Sequence, residues 1–220
     1  MSDTRYPTDS GVSIRDAKEP DIPAIQDIAR LTWADTYRDV IPEDAQAAVL
    51  DRAYSKESLA VSIGRNQAFL VAEVGSTHAE NSRSLAGYID LDFGGRQMNL
   101  HRLYILPEYQ RLGLGRKLLQ AAIARAISRA IARGTAQMSS ATTSTPAETD
   151  SVADKPGSPS PSPSPSCLLV AHVERDNPKA RAFYKKMGFA EDEEEIVVIG
   201  GVSLPVVRIS MTVGGEANAL

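Results

Sequence analysis

The sequence predicts an α/β fold, a mixed and mostly antiparallel sheet flanked by helices, and three observations carry that prediction. The runs "QAFLVAEV", "SLAGYIDLDF" and "QMNLHRLYIL" follow one another with β-type composition and polar or glycine-bearing turns between them, the pattern of an antiparallel meander. A long amphipathic helix, "GLGRKLLQAAIARAISRAIARG", comes directly after them. Far downstream, "CLLVAHVER" is apolar enough for a central strand, and a short helix and a hairpin follow it.

In order along the chain, residues 1–11 are expected as a disordered tail, followed by a short β-like piece at Val12 to Arg15. Asp21 and Pro23 are helix-entry signals, and Ile22, Ile25, Ile28, Ala29 and Trp33 recur at helical spacing, so a first helix is expected to about Tyr37. "VIPEDAQAAVLDRAYSKESLAVSIGRN" supplies a second helical region with a break expected near Tyr54 to Lys56. After the meander, the amphipathic helix gathers Leu119, Ile123, Ala126, Ile127 and Ala130 on one face, and Gly134 is expected to close it. Asn177 suits the cap of the next helix, Pro178 its first turn and Gly188 its end. The acidic run at 191 to 195 reads as a solvated turn, "IVVIGGVSLPVVRISM" as a hairpin around Gly200 and Gly201, and residues 214–220 as a second disordered tail.

Between the long helix and the central strand lies "KPGSPSPSPSPSC". From Gly134 to Ser166 there is no aromatic residue, no Leu and no Ile, so nothing offsets the entropy of ordering, and each Pro removes a donor. Neither flank is complete alone: the first ends on a helix that needs a sheet, and the second starts on a strand that needs neighbours. The stretch is therefore expected as a disordered Ser/Pro-rich insertion at about 134–166 inside one domain of residues 12–213. Repeated Ser-Pro pairs there suit proline-directed kinases, which would add charge to a flexible loop.

Net charge is -4 with 42% hydrophobic residues, which suits a soluble globular chain and argues against a basic nucleic-acid binder. No apolar run reaches the roughly 18 residues of a membrane span, and "MSDTRYPTDSG" has no signal-like apolar stretch. A cytoplasmic location is expected, with the nucleus left open. Cys167 is the sole cysteine and opens an apolar run, so it reads as a small buried hydrophobe. The His and Cys residues show no metal-ligand spacing, and no metal is expected.

"LYILPEYQRLGLGRKLL" is the most informative stretch. A strand ends at Pro107, and Gly113 and Gly115 open a helix whose unpaired N–H groups suit a phosphate or pyrophosphate. A Walker A loop is excluded because neither glycine begins one, and a dinucleotide fingerprint because Leu118 stands where a third glycine belongs. What remains, Gln110-Arg111-Leu112-Gly113-Leu114-Gly115, resembles the Q/R-x-x-G-x-G/A coenzyme A signature of the GNAT N-acetyltransferase superfamily. "NPKARAFYKKMGF" is similar to that superfamily's closing motif at Asn177, Ala180, Tyr184, Gly188 and Phe189.

The resemblance implies the GNAT fold, with a sheet splayed between its fourth and fifth strands and acetyl-CoA, as co-substrate, in the gap. By that resemblance the main chain of Leu103, Tyr104 and Ile105 would bond the pantetheine. Amides at Arg111, Leu112, Gly113, Leu114, Gly115 and Arg116 would hold the pyrophosphate, with Gln110 at the head of the turn. Asn177 would meet the cofactor arm, and Tyr184 would serve as general acid beside the sulfur. Many relatives carry a Glu base where this chain has Asn99, so the base is open. Residues 99, 101, 103 and 105 are expected on one strand face, which makes His101 the leading candidate base, with Asp90, Asp92, His172 or a water relay as alternatives. Trp33 and Tyr37, four apart, either wall an amine pocket or belong to the core.

The function expected is an acetyl-CoA-dependent N-acetyltransferase acting on a small-molecule primary amine, such as a polyamine or amino acid, by direct attack in a ternary complex. A protein N-terminus or lysine is the alternative acceptor, and a non-catalytic acyl-CoA sensor is the alternative of another class. Neither nucleic acid nor membrane is an expected partner, and a homodimer is implied by analogy alone.

Overall fold

The computed structural model describes residues 11–65, 68–75, 83–93, 97–140 and 166–214. The expected disorder at the tails lies outside the described residues apart from Gly11 and Gly214, and that along 134–166 does so only for 141–165, since 134–140 are helical and Ser166 is described. Seven strands form one sheet in the order β1-β2-β3-β4-β5-β7-β6. β1 (Val12–Asp16), β2 (Ala68–Gly75), β3 (Arg83–Phe93) and β4 (Gln97–Ile105) pair antiparallel in turn. β5 (Cys167–Glu174) joins β4 in parallel and β7 (Val202–Val213) antiparallel, and β6 (Ala190–Ile199) is the edge beyond β7. The central place of β5 accounts for its apolar composition, with Leu169, Val170, Ala171 and Val173 all buried.

Helices α1 (Ile22–Thr36), α2 (Glu43–Ala53) and α3 (Lys56–Gly64) cover one face of the sheet, and α4 (Leu114–Ser140) and α5 (Pro178–Lys186) the other. Strand alternation feeds both cores: Phe69 and Val71 of β2 face α1–α3, while Ala68, Leu70 and Ala72 face α4 and α5. The break between α2 and α3 is a cap, in which the Ser58 N–H donates to Ser55 Oγ at 3.1 Å. Gly200 and Gly201, at φ +59° and +80°, make the two-residue turn of the last hairpin.

Three expectations need correction. Gly134 does not end α4, which runs on to Ser140; a glycine inside a helix costs only about 1 kcal/mol relative to alanine, and Ala136, Gln137 and Met138 propagate the turn. The acidic run is not a turn: Glu191 to Glu195 lie within edge strand β6. Their side chains meet basic partners, with Glu191 2.8 Å from Arg181 and Asp192 bonded to Arg208, and charge along an edge disfavours pairing with other chains.

The third correction concerns β4. Asp90 pairs with Arg102 but Leu91 with Leu100, so His101 is an extra residue and the strand bulges there. The expected alternation of 99, 101, 103 and 105 fails beyond that point. Leu103 and Ile105 turn to the α4–α5 core alongside Met98 and Leu100, while Arg102 and Tyr104 turn toward α1–α3.

Candidate active site

β4 and β5 pair only from Gln97 to Leu100 and from Leu168 to Ala171. β4 continues to Ile105 and β5 to Glu174, so the two strands diverge and their facing edges lack each other as partners. The main chain of Leu103, Tyr104 and Ile105 lies along this opening. Gln110 Nε2 donates to the Ile105 carbonyl at 3.1 Å and ties the following turn back to the strand.

That turn combines a 3-10 segment at Pro107–Tyr109 with left-handed backbone at Arg111 (φ +61°) and Gly113 (φ +80°). A left-handed arginine costs roughly 1–2 kcal/mol, and alternating handedness of this kind points successive N–H groups into one concavity. The first helical bond of α4 runs from the Lys117 N–H to the Gly113 carbonyl at 3.1 Å, so the N–H groups of Leu114, Gly115 and Arg116 precede the ladder and face outward from the helix end. Gly115 keeps α4 close to α5, because a Cβ there would meet Phe183 Cε2 at 3.3 Å. This donor set suits a polyanionic diphosphate, and the open strand edges suit an amide-bearing chain, so the residues present fit acetyl-CoA.

On α5, Asn177 Oδ1 accepts from the Ala180 N–H at 3.0 Å, which commits its carbonyl to the cap and leaves Nδ2 as a donor. Tyr184 packs edge-on against Phe183 and Phe189, each ring centroid 5.1 Å away. Burial raises its phenol pKa above the usual tyrosine value, so the proton stays on the oxygen throughout the physiological range.

The bulge brings His101 and Asp92 together, with His101 Nε2 2.9 Å from Asp92 Oδ2. Asn99 Nδ2 donates to the other Asp92 oxygen at 2.8 Å, and Gln97 Nε2 to Asn99 Oδ1 at 2.7 Å. Burial works to raise Asp92, but the hydrogen bonds from His101 and Asn99 outweigh it and hold the carboxyl below its ordinary range. The other candidate bases are engaged elsewhere. Asp90 is buried against Arg102 at 2.7 Å, and His172 Nε2 lies 3.4 Å from Glu195 on β6.

Trp33 is a core residue and not a pocket wall. It is 5% exposed, and its Nε1 donates to the Tyr104 hydroxyl at 3.1 Å. Its ring packs with Tyr37 at 4.9 Å and Tyr54 at 6.2 Å, and the cation against this aromatic group is the chain's own Arg102, 4.7 Å from the Tyr54 centroid. Tyr37 is half-buried at the rim, where burial, the charge of Glu174 and Tyr54 push its phenol up to about 12. Glu174 itself, at the end of β5, is raised by burial and by neighbouring Asp176. Sequence reasoning missed Glu174, because a carboxylate after an apolar strand carries no signal until the splay gives it a place. It also weighed Asp92 only as a base and not as the partner of His101.

Among the described residues no group of His, Cys, Asp and Glu has metal-binding geometry, and no helix is long and apolar enough to cross a membrane. A family model described as an acetyltransferase (GNAT) domain matches residues 65–191. The spermidine N(1)-acetyltransferase of Thermoplasma acidophilum is 31% identical over 111 residues, which cover 50% of this chain and 68% of that protein. Two solved structures share the fold. The PaiA N-acetyltransferase from Thermoplasma acidophilum, in complex with coenzyme A, has a TM-score of 0.61 at 23% identity, covering 90% of this chain and 97% of that one. YncA from Salmonella typhimurium, with acetyl-CoA, has a TM-score of 0.55 at 18% identity, covering 95% of this chain and 98% of that one.

Proposed function

The chain belongs to the GNAT acetyltransferase family and is an acetyl-CoA-dependent N-acetyltransferase, and on that premise we propose that its acceptor is the primary amine of a small molecule, a polyamine before an amino acid, attacked directly in a ternary complex. The observation that carries the reading is the open β4 edge, with the anion-seeking turn after one end and the His101–Asp92 pair at the other. The relative that acetylates spermidine favours a polyamine, and Glu174, at the end of β5 beside the opening, suits a cationic acceptor.

In this reading the main chain of Leu103, Tyr104 and Ile105 binds the pantetheine, and the N–H groups of Arg111 through Arg116 hold the diphosphate. Gln110 acts through the turn, by its bond to the Ile105 carbonyl, and Asn177 meets the cofactor arm with Nδ2. Acetyl-CoA supplies an activated thioester whose thiol has a pKa of about 8.5. His101 takes the proton of the attacking ammonium, and Asp92 orients the imidazole. Tyr184 keeps its proton and donates it toward the departing sulfur. Tyr37 stands at the rim on the acceptor side.

The test is incubation of the full chain with acetyl-CoA and separate spermidine, amino acids and a peptide with a free N-terminus, reading the mass gain of one acetyl group and release of free thiol. Spermidine acetylated in preference to the peptide is expected. Acetylation of the peptide alone would move the acceptor to proteins, and tight acetyl-CoA binding with no amine-dependent turnover would favour a sensor.

A further inference from the structure

We infer that Arg102 is a positioning residue for this reaction: its guanidinium, clamped by Asp90, the Ala53 carbonyl and the Tyr54 ring, fixes the β4 bulge that aims His101 at Asp92 and the open edge. The inference rests on the assignment of His101 as base. A bulged residue has no opposite number in the neighbouring strand, so the ladder does not set its direction. His101 takes its direction from the next residue, Arg102, whose side chain is held at three points.

Arg102 Nη1 donates to Asp90 Oδ2 at 2.7 Å, Nη2 donates to the Ala53 carbonyl at 3.0 Å, and the guanidinium carbon lies 4.7 Å from the Tyr54 ring centroid. The anchors come from β3, from the last residue of α2 and from the joint between α2 and α3. A planar fork satisfies all three at once, which neither an ammonium nor an apolar side chain does. The clamp therefore joins the helices on the acceptor side to the strand that carries the base.

Stability alone is a weak reason for this arrangement. Arg102 and Asp90 side chains are 15% and 3% exposed, and buried ion pairs gain little over apolar pairs of similar volume. What the arrangement provides is direction. With Arg102 held on the α1–α3 face, the residue before it is kept beside Asp92, where regular alternation would have sent Arg102 to the opposite face.

The experiment replaces both charges, Asp90→Leu with Arg102→Met, so that no unpaired charge is buried, and measures turnover in the parent and in a His101→Gln background. In the parent background, kcat is expected to fall roughly tenfold while KM for acetyl-CoA stays within about twofold. In the His101→Gln background the same replacement should cost almost nothing further, since the path through His101 is gone. Parent-level kcat in the folded double variant overturns the inference, and so does an equal loss in both backgrounds. Parent-level kcat in His101→Gln alone would instead sink the base assignment, and slow His101→Gln beside a fully active clamp variant sinks only the clamp. Should the double variant not fold, Arg102→Lys keeps the charge and loses the fork; it is expected to show the same split of kcat from KM, and unchanged turnover in it overturns the proposal.

Discussion

His101 and Asp92 are 2.9 Å apart across two strands that do not keep step, because β4 carries one residue more than β3 between Leu100 and Arg102. A general base contributes about 10²–10⁴-fold, so His101→Gln should lower kcat by at least about 10² with KM for acetyl-CoA little changed. Asp92→Asn should cost less, since it removes the orienting partner and leaves the imidazole. The carboxyl of Asp92 is depressed, so its contact with His101 is intact above the ordinary carboxylate range and is lost only as pH falls through the depressed value. With the base removed, the acid limb of the kcat–pH profile should vanish in His101→Gln; a limb that persists there refutes the assignment.

Tyr184 has its pKa raised by burial and keeps its proton, so no alkaline limb near neutrality should come from it. Tyr184→Phe retains the packing on Phe183 and Phe189 and loses only the donor. Turnover should drop by about 10² with the folded state little affected. Steady-state kinetics with thermal melting on the same samples check this, and equal kcat in variant and parent removes Tyr184 as the proton donor.

A Cβ at Gly113 would meet open space, so the effect of a larger residue is not a clash within the protein. The obstacle is φ +80°, which a β-branched side chain resists at a cost of about 1–2 kcal/mol, and relieving it would turn the converging N–H groups apart. Gly113→Val should weaken acetyl-CoA binding by roughly tenfold or more, while Gly113→Asn, which tolerates left-handed backbone, should be milder. Calorimetric titration with CoA distinguishes them, and equal affinities in all three proteins would count against the diphosphate site.

Residues whose type is dictated by local backbone were legible in the sequence. Gly113, Gly200 and Gly201 announce left-handed turns, and Asn177 with Pro178 announces a helix start, because few other residues serve there. Features that depend on a partner across the sheet were not. Nothing in "QMNLHRLYIL" marks His101 as an extra residue, since the bulge shows only when Asp90 is seen opposite Arg102. Trp33 and Tyr37 share a helical face by spacing alone, but only the Tyr104 hydroxyl shows that Trp33 points inward. The run Glu191 to Glu195 has poor strand propensity, and it is extended because β7 supplies the ladder and Arg181 and Arg208 the counter-charge.

Arg15 ties the first strand to the rest of the fold, meeting Asp21 Oδ2 at 2.7 Å and Glu73 Oε1 at 2.6 Å. The hydrogen bond from Arg15 holds Asp21 below the ordinary carboxyl range. Burial works against Glu73, but Arg15 and Ser13 outweigh it and lower that carboxyl too. Folded-state values below the unfolded ones mean stability that is present above the unfolded carboxyl range and is lost as pH falls through the folded values. Part of the network is exposed to solvent, so its worth is discounted to about 1 kcal/mol, or roughly 2–4 °C in a chain of this size. Arg15→Met should therefore melt a few degrees below the parent at neutral pH, and the gap should close on acidification toward the depressed range. Melting curves from neutral pH down into the carboxylate range test this; a gap that stays constant with pH would mean that Arg15 acts by packing its stem and not by charge.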